Sequence, residues 1–432
     1  MQWAVNGQWV PIDGDGCLST CHLCMAVCPF QDHKENEDTL AAAHYGSIEA
    51  IQHTPETGYY FNAYAGHANG QYRERGASGG MASWFLAALL EKGTVDHVIC
   101  VRPKADAECL FEFAVFSTAE EVRGGAKSAY YPVELSNVLR HIMENDGRYA
   151  VMALPCFAKA IRLASHRIPL LRRRIAVLAG LVCGQMKSKY FADYLIRHMG
   201  LDPLEVTRLS FRSKNPNRPA SNFEIQAQTR NGRQGVCESR DIYAQTWCSG
   251  MFTPRACTFC DDIFAETADI AFMDAWLPEY AEDSRGTSIV LIRSQTARQL
   301  IEDGIKQETI TMRTISIEKV ITSQAGVVEQ KNSKLTNRLW MAGKKGFYLR
   351  KRIAPVRPSW FQRLLLDVRE DMRKTSQEAY GIARISGTRI LFEFAARMQS
   401  PQRRWNALLL VANCIIYARV AISRFIHFWI PR

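Results

Sequence analysis

The chain reads as an α/β protein: a central, mostly parallel sheet flanked by helices, with an N-terminal cysteine-rich segment and a C-terminal basic helical tail. Three observations point there. From about Phe61 to about Val328, apolar strand-like runs alternate with helical patterns, the signature of helices wrapped on a sheet. Near the start, "CLSTCHLCMAVCP" at residues 17–29 packs four cysteines and a proline into thirteen positions. From Trp340 to Arg432 there are 18 Lys and Arg against 5 Asp and Glu, leaving 36 against 38 for residues 1–339. The body is therefore near neutral, and the net charge of +11 sits in the tail.

At 432 residues the chain exceeds the size at which one core usually stops growing, so one large domain with appendages, or two domains, is expected. Its 47% hydrophobic and 22% charged residues argue against extended disorder. No solenoid repeat or long low-complexity stretch interrupts it. The expected division is a cysteine-bearing segment at residues 1–60, an α/β domain at 61–335 and a helical tail at 336–432.

The first segment opens with "MQWAVNGQWVPIDGDG", which lacks a positive n-region and an apolar h-region, so a cytoplasmic location is the expectation. In that compartment thirteen cysteines read as metal or cluster ligands rather than disulfide staples. The spacing is Cys17-x3-Cys21-x2-Cys24-x3-Cys28-Pro29. Apart from one extra residue in the first gap, it is the ferredoxin-like run that wraps a 4Fe-4S cluster. Zinc is the alternative, although zinc sites usually pair cysteines in two separated knuckles. His22 and His33 read as solvated surface residues.

In the middle region, "ASGGMASWFLAALLEKG" predicts a helix with Ser78 near its N-cap, two glycines in its first turn and Gly93 past its end. The strand "VDHVICV" follows. "YAVMAL" then runs into Pro155-Cys156 and a helix, and "IAVLAGLV" into Cys183-Gly184 and a helix. In a parallel sheet the carboxyl ends of strands share one edge, where ligands sit, so Cys156 and Cys183 are expected to be neighbours. Cys257-x2-Cys260 lies in the loop-like "PRACTFCDD" and could complete a second set of four thiolates. The bland alternative is that these are small buried apolar residues. Cys100, Cys109, Cys237, Cys248 and Cys414 show no pattern. The glycine turn "GASGG" at 76–80 opens a helix, where backbone amides attract phosphate and missing side chains allow close approach. Glycines at a crowded turn explain the motif equally well; combined with one-electron clusters, a flavin becomes attractive, because it divides two-electron chemistry into single steps.

With these motifs in order, the chain resembles the beta subunit of the coenzyme F(420)-dependent hydrogenases and dehydrogenases. That group includes bacterial relatives tied to polysaccharide loci and the plant hydroxymethyl-chlorophyll reductases. The resemblance spans roughly Cys17 to Ile305. It rests on the cysteine run, "ASGGMASWFLAALLEKGTVDHVI", "KSAYYPVEL", "LPCFAKAIR", "LVCGQMKSKYFADYL", "FRSK", "CTFCDD" and "ADIAFMDAW". It implies an FAD and iron-sulfur oxidoreductase working with a redox partner protein, a ferredoxin or a reduced deazaflavin. It further implies that Ser78, Gly79 and Gly80 face the flavin nucleotide's phosphates, that Lys127, Ser128 and Tyr130 line its cavity, and that Asp274 and Trp276 lie near it. Cys17, Cys21, Cys24 and Cys28 would hold one 4Fe-4S cluster, and Cys156, Cys183, Cys257 and Cys260 the other. Lys127 and Asp274 are the candidate catalytic acids. Three departures bear on the electron donor: Ala129 in place of a common lysine, Met273 in place of a glycine, and no glycine-tryptophan pair after "FRSK".

The tail closes with the apolar run Trp405 to Ala418, too short to span a bilayer comfortably, followed by Arg419 and Arg424. Such a pattern suits a helix lying on an anionic membrane surface, which would place the protein at the inner face of the cell membrane. The alternative is a helical hairpin packed on the body or on a partner. The body shows no recognised nucleic-acid module, so no nucleic-acid partner is expected. A rival of a different class is a non-catalytic, zinc-bearing accessory protein of envelope polysaccharide biosynthesis.

Overall fold

A computed structural model describes residues 1–429 except 13, 15, 16, 19, 33, 34, 126, 387 and 388, with the backbone alone described at 243, 244, 386 and 413–429. Eleven strands build two main sheets: β1 (Asn62–Ala68), β2 (His97–Pro103), β3 (Phe111–Phe116), β4 (Tyr149–Ala153), β5 (Ile175–Leu181), β6 (Val206–Ser213), β7 (Glu224–Thr229), β8 (Gln234–Glu238), β9 (Ile270–Asp274), β10 (Ser288–Ile292) and β11 (Ile310–Ile315). The larger sheet has eight strands in the order β11-β1-β10-β9-β5-β4-β2-β3. Its centre, β2-β4-β5-β9, is parallel, and antiparallel partners flank it on both sides. Strand β1 runs with the parallel centre, while β3, β10 and β11 oppose it, so the expected α/β class with a mostly parallel sheet is what forms.

Strand β4 is buried at every position because helices cover both faces, which is why it reads as a continuous apolar run. Its side chains alternate between two cores: Val151 and Ala153 face one, Ala150 and Met152 the other. The pairings Ala153 with Gly180 and Leu181 with Phe272 bring the carboxyl ends of β4, β5 and β9 to one edge.

Six helices matter for the site and the tail: α1 (Met81–Glu91), α2 (Pro155–Arg167), α3 (Lys189–His198), α4 (Ser333–Lys344), α5 (Trp360–Ser386) and α6 (Ile390–Trp429). The two glycines expected in the first turn of α1 instead precede it. Gly80 is the N-cap, with φ of 78°, and a Cβ there would lie 2.2 Å from the Tyr72 carbonyl oxygen. A left-handed cap this tight admits only glycine. Cys156 likewise lies inside the first turn of α2, behind Pro155 at N1, a position proline favours because it needs no N–H.

Strands β6, β7 and β8 form a smaller antiparallel sheet. It shares a third core with α3 and the tail. Helices α5 and α6 pack on each other and on α3, sending Val368, Met372, Tyr380, Phe394, Met398 and Trp405 into that core. Residues 360–386 and 389–405 thus pack on each other and on the body. The apolar run continues to Ala418, whose side chain and those from 413 on lie outside the described residues, as do the side chain of Cys414 and all of His33. Among the described residues, no helix is long and apolar enough to cross a membrane.

Candidate functional site

The shared carboxyl edge of β4, β5 and β9 opens into a cavity of about 860 Å³, within the range of cofactor pockets. Ser78, Gly80, Lys127, Ser128, Tyr130, Asp274 and Trp276 all line it. Gly79 packs behind the wall: a Cβ there would meet the Gly66 carbonyl at 2.6 Å and the Ser288 amide at 2.7 Å. The glycine turn is pinned from several sides. Ala68 N–H donates to the Gly79 carbonyl at 2.8 Å, and Ser78 Oγ donates to the Thr287 carbonyl at 2.8 Å. Lys214 Nζ reaches the carbonyls of Ser78, at 2.7 Å, and Arg73. Helix α1 has no side-chain cap, and Met81, Ala82 and Ser83 of its first turn line the cavity.

On the opposite wall Tyr130 sits edge-on to Phe211 and Trp247, so it is at once a core aromatic and a cavity residue. Burial raises its hydroxyl pKa against the pull of Arg212. Lys127 places its ammonium 3.2 Å from Ser210 Oγ; burial, then the nearby Arg208, lower its pKa. Asp274 is paired at 2.7 Å with buried Arg212, whose guanidinium lies over the rings of Phe223 and Trp276. Burial and then the charges of Arg73 and Arg212 bring Lys214 down to about 8. Arg212, in the cavity wall, and Lys214, bonded to the glycine turn, are charged groups of the site to which the sequence assigned no role, although both stand in the quoted "FRSK".

The four thiols of the second set come together. Cys156, Cys183, Cys257 and Cys260 feel one another electrostatically, and Cys183 also lines the large cavity. The residues are partly buried. Burial raises the thiols of Cys156, Cys183 and Cys257, Cys183 to about 12. Joint deprotonation therefore needs positive charge among them. The surroundings supply donors suited to bound thiolates. The Met186 N–H points at Cys257 Sγ at 3.5 Å. Buried Lys331 places Nζ 3.2 Å from Cys260 Sγ and 2.6 Å from the Asp262 carbonyl. Burial opposes the charge of Lys331, but Cys260, Cys183 and Asp262 outweigh it and raise its pKa. A second buried ammonium, Lys187, donates to the carbonyls of Thr246 and Met251 and lies 4.7 Å from the Trp247 ring. A thiolate-rich anionic centre fits this donor set. Among the described residues, no three His, Cys, Asp or Glu side chains are placed to hold a single metal ion.

The first set is arranged differently. Cys17, Cys21 and Cys24 are exposed and Cys28 is partly so. The short helix Leu23–Val27 packs on α2, the helix that carries Cys156 in its first turn. Beside it, Glu35 pairs with Arg167 at 2.7 Å and His166 at 3.0 Å. The segment before α5 clamps the two regions together. Arg352 bonds Glu266 through both guanidinium ends, at 2.7 and 2.9 Å, Asp38 at 2.9 Å and the Asp261 carbonyl at 3.1 Å. Lys351 pairs with Asp261 at 2.9 Å.

The architecture and the site together define an α/β protein with a nucleotide-sized cavity at the sheet's carboxyl edge and a group of four thiols beside it, one of which, Cys183, is in the cavity wall. Profiles of the coenzyme F(420) hydrogenase/dehydrogenase beta subunit match residues 63–140 for the N-terminal part and 146–318 for the C-terminal part. The chain belongs to this family. Among curated relatives, it is 23% identical over 436 residues to coenzyme F(420)-dependent sulfite reductase of Methanocaldococcus jannaschii, covering 89% of this chain and 64% of the relative. It is 30% identical over 226 residues to one subunit of the F(420)H(2) dehydrogenase of Methanosarcina mazei, covering 52% and 58%. The matches thus span less than two thirds of either relative. A chain of the F(420)-reducing NiFe hydrogenase complex from Methanosarcina barkeri shares the fold, with a TM-score of 0.52 and 17% identity over 70% of this chain and 99% of that one.

Proposed function

We propose that the chain is an iron-sulfur flavoprotein oxidoreductase that carries electrons between its surface and a nucleotide cavity. The observation that supports this most directly is that Cys183 belongs both to the buried thiol group and to the cavity wall. When bound, FAD would supply conversion between two-electron and one-electron chemistry, and 4Fe-4S clusters the one-electron carriers. The chain's residues bind and orient. Cys17, Cys21, Cys24 and Cys28 would hold the outer cluster, and Cys156, Cys183, Cys257 and Cys260 the inner one. The Ser78–Gly80 turn and the uncapped start of α1 would receive the nucleotide's phosphates, with Lys127, Ser128, Tyr130 and Trp276 along the cavity. Lys127 is the proposed proton donor at Nζ, since its lowered pKa eases release. Asp274, tied to Arg212, is proposed to hold that cation beside the reacting end. The exposed outer cysteines are the proposed point of exchange with a redox partner protein or ferredoxin, and the cavity that of a reduced deazaflavin.

Anaerobic purification followed by iron, sulfide, flavin and zinc quantification tests this. Equal iron and sulfide with bound flavin and broad brown absorbance is the expected result. A colourless, zinc-loaded protein without flavin overturns it in favour of an accessory role.

A further inference from the structure

A second cavity, of about 150 Å³, touches the same Gly184–Gln185 segment as the large one and reaches Cys257. Its walls come from the cysteine loop, from helix α4 and from α5 of the tail. Six cations line it, namely Arg255, Lys331, Arg338, Lys345, Arg369 and Arg373, against two carboxylates, Asp367 and Glu370. Glu370 is taken up by Arg373, at 2.7 and 2.6 Å, and Lys331 by Cys260 and Asp262.

Of the remaining guanidinium groups, Arg255 lies 4.8 Å from the Phe347 ring centre, and Arg338 and Arg369 bond neutral oxygens although Asp367 shares the pocket. Arg338 donates to the carbonyls of Thr258, at 2.7 Å, and Gln330, at 2.5 Å. Arg369 donates to the side-chain carbonyl of the same Gln330. Among the described residues, neither has a carboxylate partner. Both are partly buried, while Arg255 and Lys345 stand exposed at the mouth. Two guanidinium groups held together in a partly dry pocket repel each other and forfeit hydration, a cost that an oxyanion bridging them would remove. The space equals about five water molecules at roughly 30 Å³ each. That is too small for a nucleotide, for which pockets of roughly 300 Å³ or more are usual.

We propose that this pocket is a binding site for a small inorganic oxyanion of the phosphate, sulfate or sulfite type, held by Arg338 and Arg369 with Lys345 at its entrance. The site goes beyond the redox reading: the pocket and its cations stand whichever centre the thiols hold. Occupancy would set a negative charge beside Cys257, so an anion taken up here would also lower the reduction potential of a centre bound there.

The test is calorimetric titration of the full-length protein, at known metal content and low salt, with phosphate, sulfate and sulfite, using perchlorate at matched ionic strength as control. Saturable one-to-one binding is expected, weakened about tenfold or more in Arg338→Gln or Arg369→Gln, the loss of one charge-assisted contact. Lys345→Gln, exposed at the mouth, should weaken binding less and keeps the test readable if the arginine variants fail to fold. Absence of saturable binding, equal binding of perchlorate, or affinity unchanged in variants that fold would overturn the site. A phosphate monoester binding while inorganic phosphate does not would also overturn it, by assigning the pocket to part of a larger ligand. Iron and flavin content are read separately on the same preparation, so failure of the redox reading leaves this result interpretable.

Discussion

The two cysteine sets, both proposed to hold clusters, sit in opposite surroundings. The outer four lie within twelve residues, in a short loop and helix open to water. The inner four come from three separate parts of the chain and meet beneath the sheet edge, with Lys331, Lys187 and the Met186 amide around them. An exposed thiolate is stabilised by water, whereas a buried one must be stabilised by protein cations, amides and metal. The inner set should therefore depend on its surroundings for assembly and potential, and the outer set chiefly on its own sequence.

The strongest way to break this contrast is to remove one ligand from each set. Cys257→Ser should lose about half of the iron, if each set holds one cubane, and should lower the melting temperature. Cys24→Ser should lose a similar share of iron with little thermal effect. Equal melting shifts, or unchanged iron in Cys257→Ser, would end the proposed division of labour. The next effect concerns the clamp. Arg352→Met removes the bidentate donor of Glu266, whose side chain is only 2% exposed and whose pKa burial already raises to about 8; the acid then takes up a proton, and the lost hydrogen bonds should cost about 1–3 kcal/mol in denaturant unfolding. A cost near zero would mean that the tail merely rests on the site.

A smaller effect sharpens the electrostatic side. Lys331→Gln removes a unit charge next to Cys260 and should lower the inner centre's midpoint potential on the order of 100 mV, taking an effective dielectric of about 20 at a few ångström. An EPR-monitored redox titration reads this, and the outer centre should not move. A pH-dependent effect lies near the outer set, in the helix Glu37–Tyr45. Burial, then the charge of Arg162, hold His44 down at about 4, against an ordinary 6.5. Between those values the unfolded chain binds the extra proton and the folded chain does not, so stability is complete above pH 6.5 and is lost as pH falls toward 4. His44→Gln should flatten the unfolding profile across that window; an unchanged slope would assign the acid sensitivity elsewhere.

Much of this was legible before any fold was known. The strands "YAVMAL" and "IAVLAGLV" stand out because a strand covered on both faces is apolar at nearly every residue. "GASGG" marks a turn because Gly80 needs a positive φ. Other features left little trace. Lys331 and Lys187 look like surface residues until the chain folds, since a lysine's partners here are carbonyls and a sulfur far along the chain. Arg352 sits in a basic stretch that reads as solvated charge, yet it joins Glu266, Asp38 and Asp261. The tail's aromatics gave no hint that Tyr380 and Phe394 complete a third core.

Local spacing by itself determined the outer cysteine loop, the glycine turn and the alternation of strand and helix, because each depends on residues within a few positions of one another. Only the tertiary structure decided that Cys156, Cys183, Cys257 and Cys260 meet, that Asp274 faces Arg212 and that the tail closes over the cysteine loop. Those facts depend on strand order and burial, and the energy of a buried charge is fixed by whatever distant segment the fold places beside it.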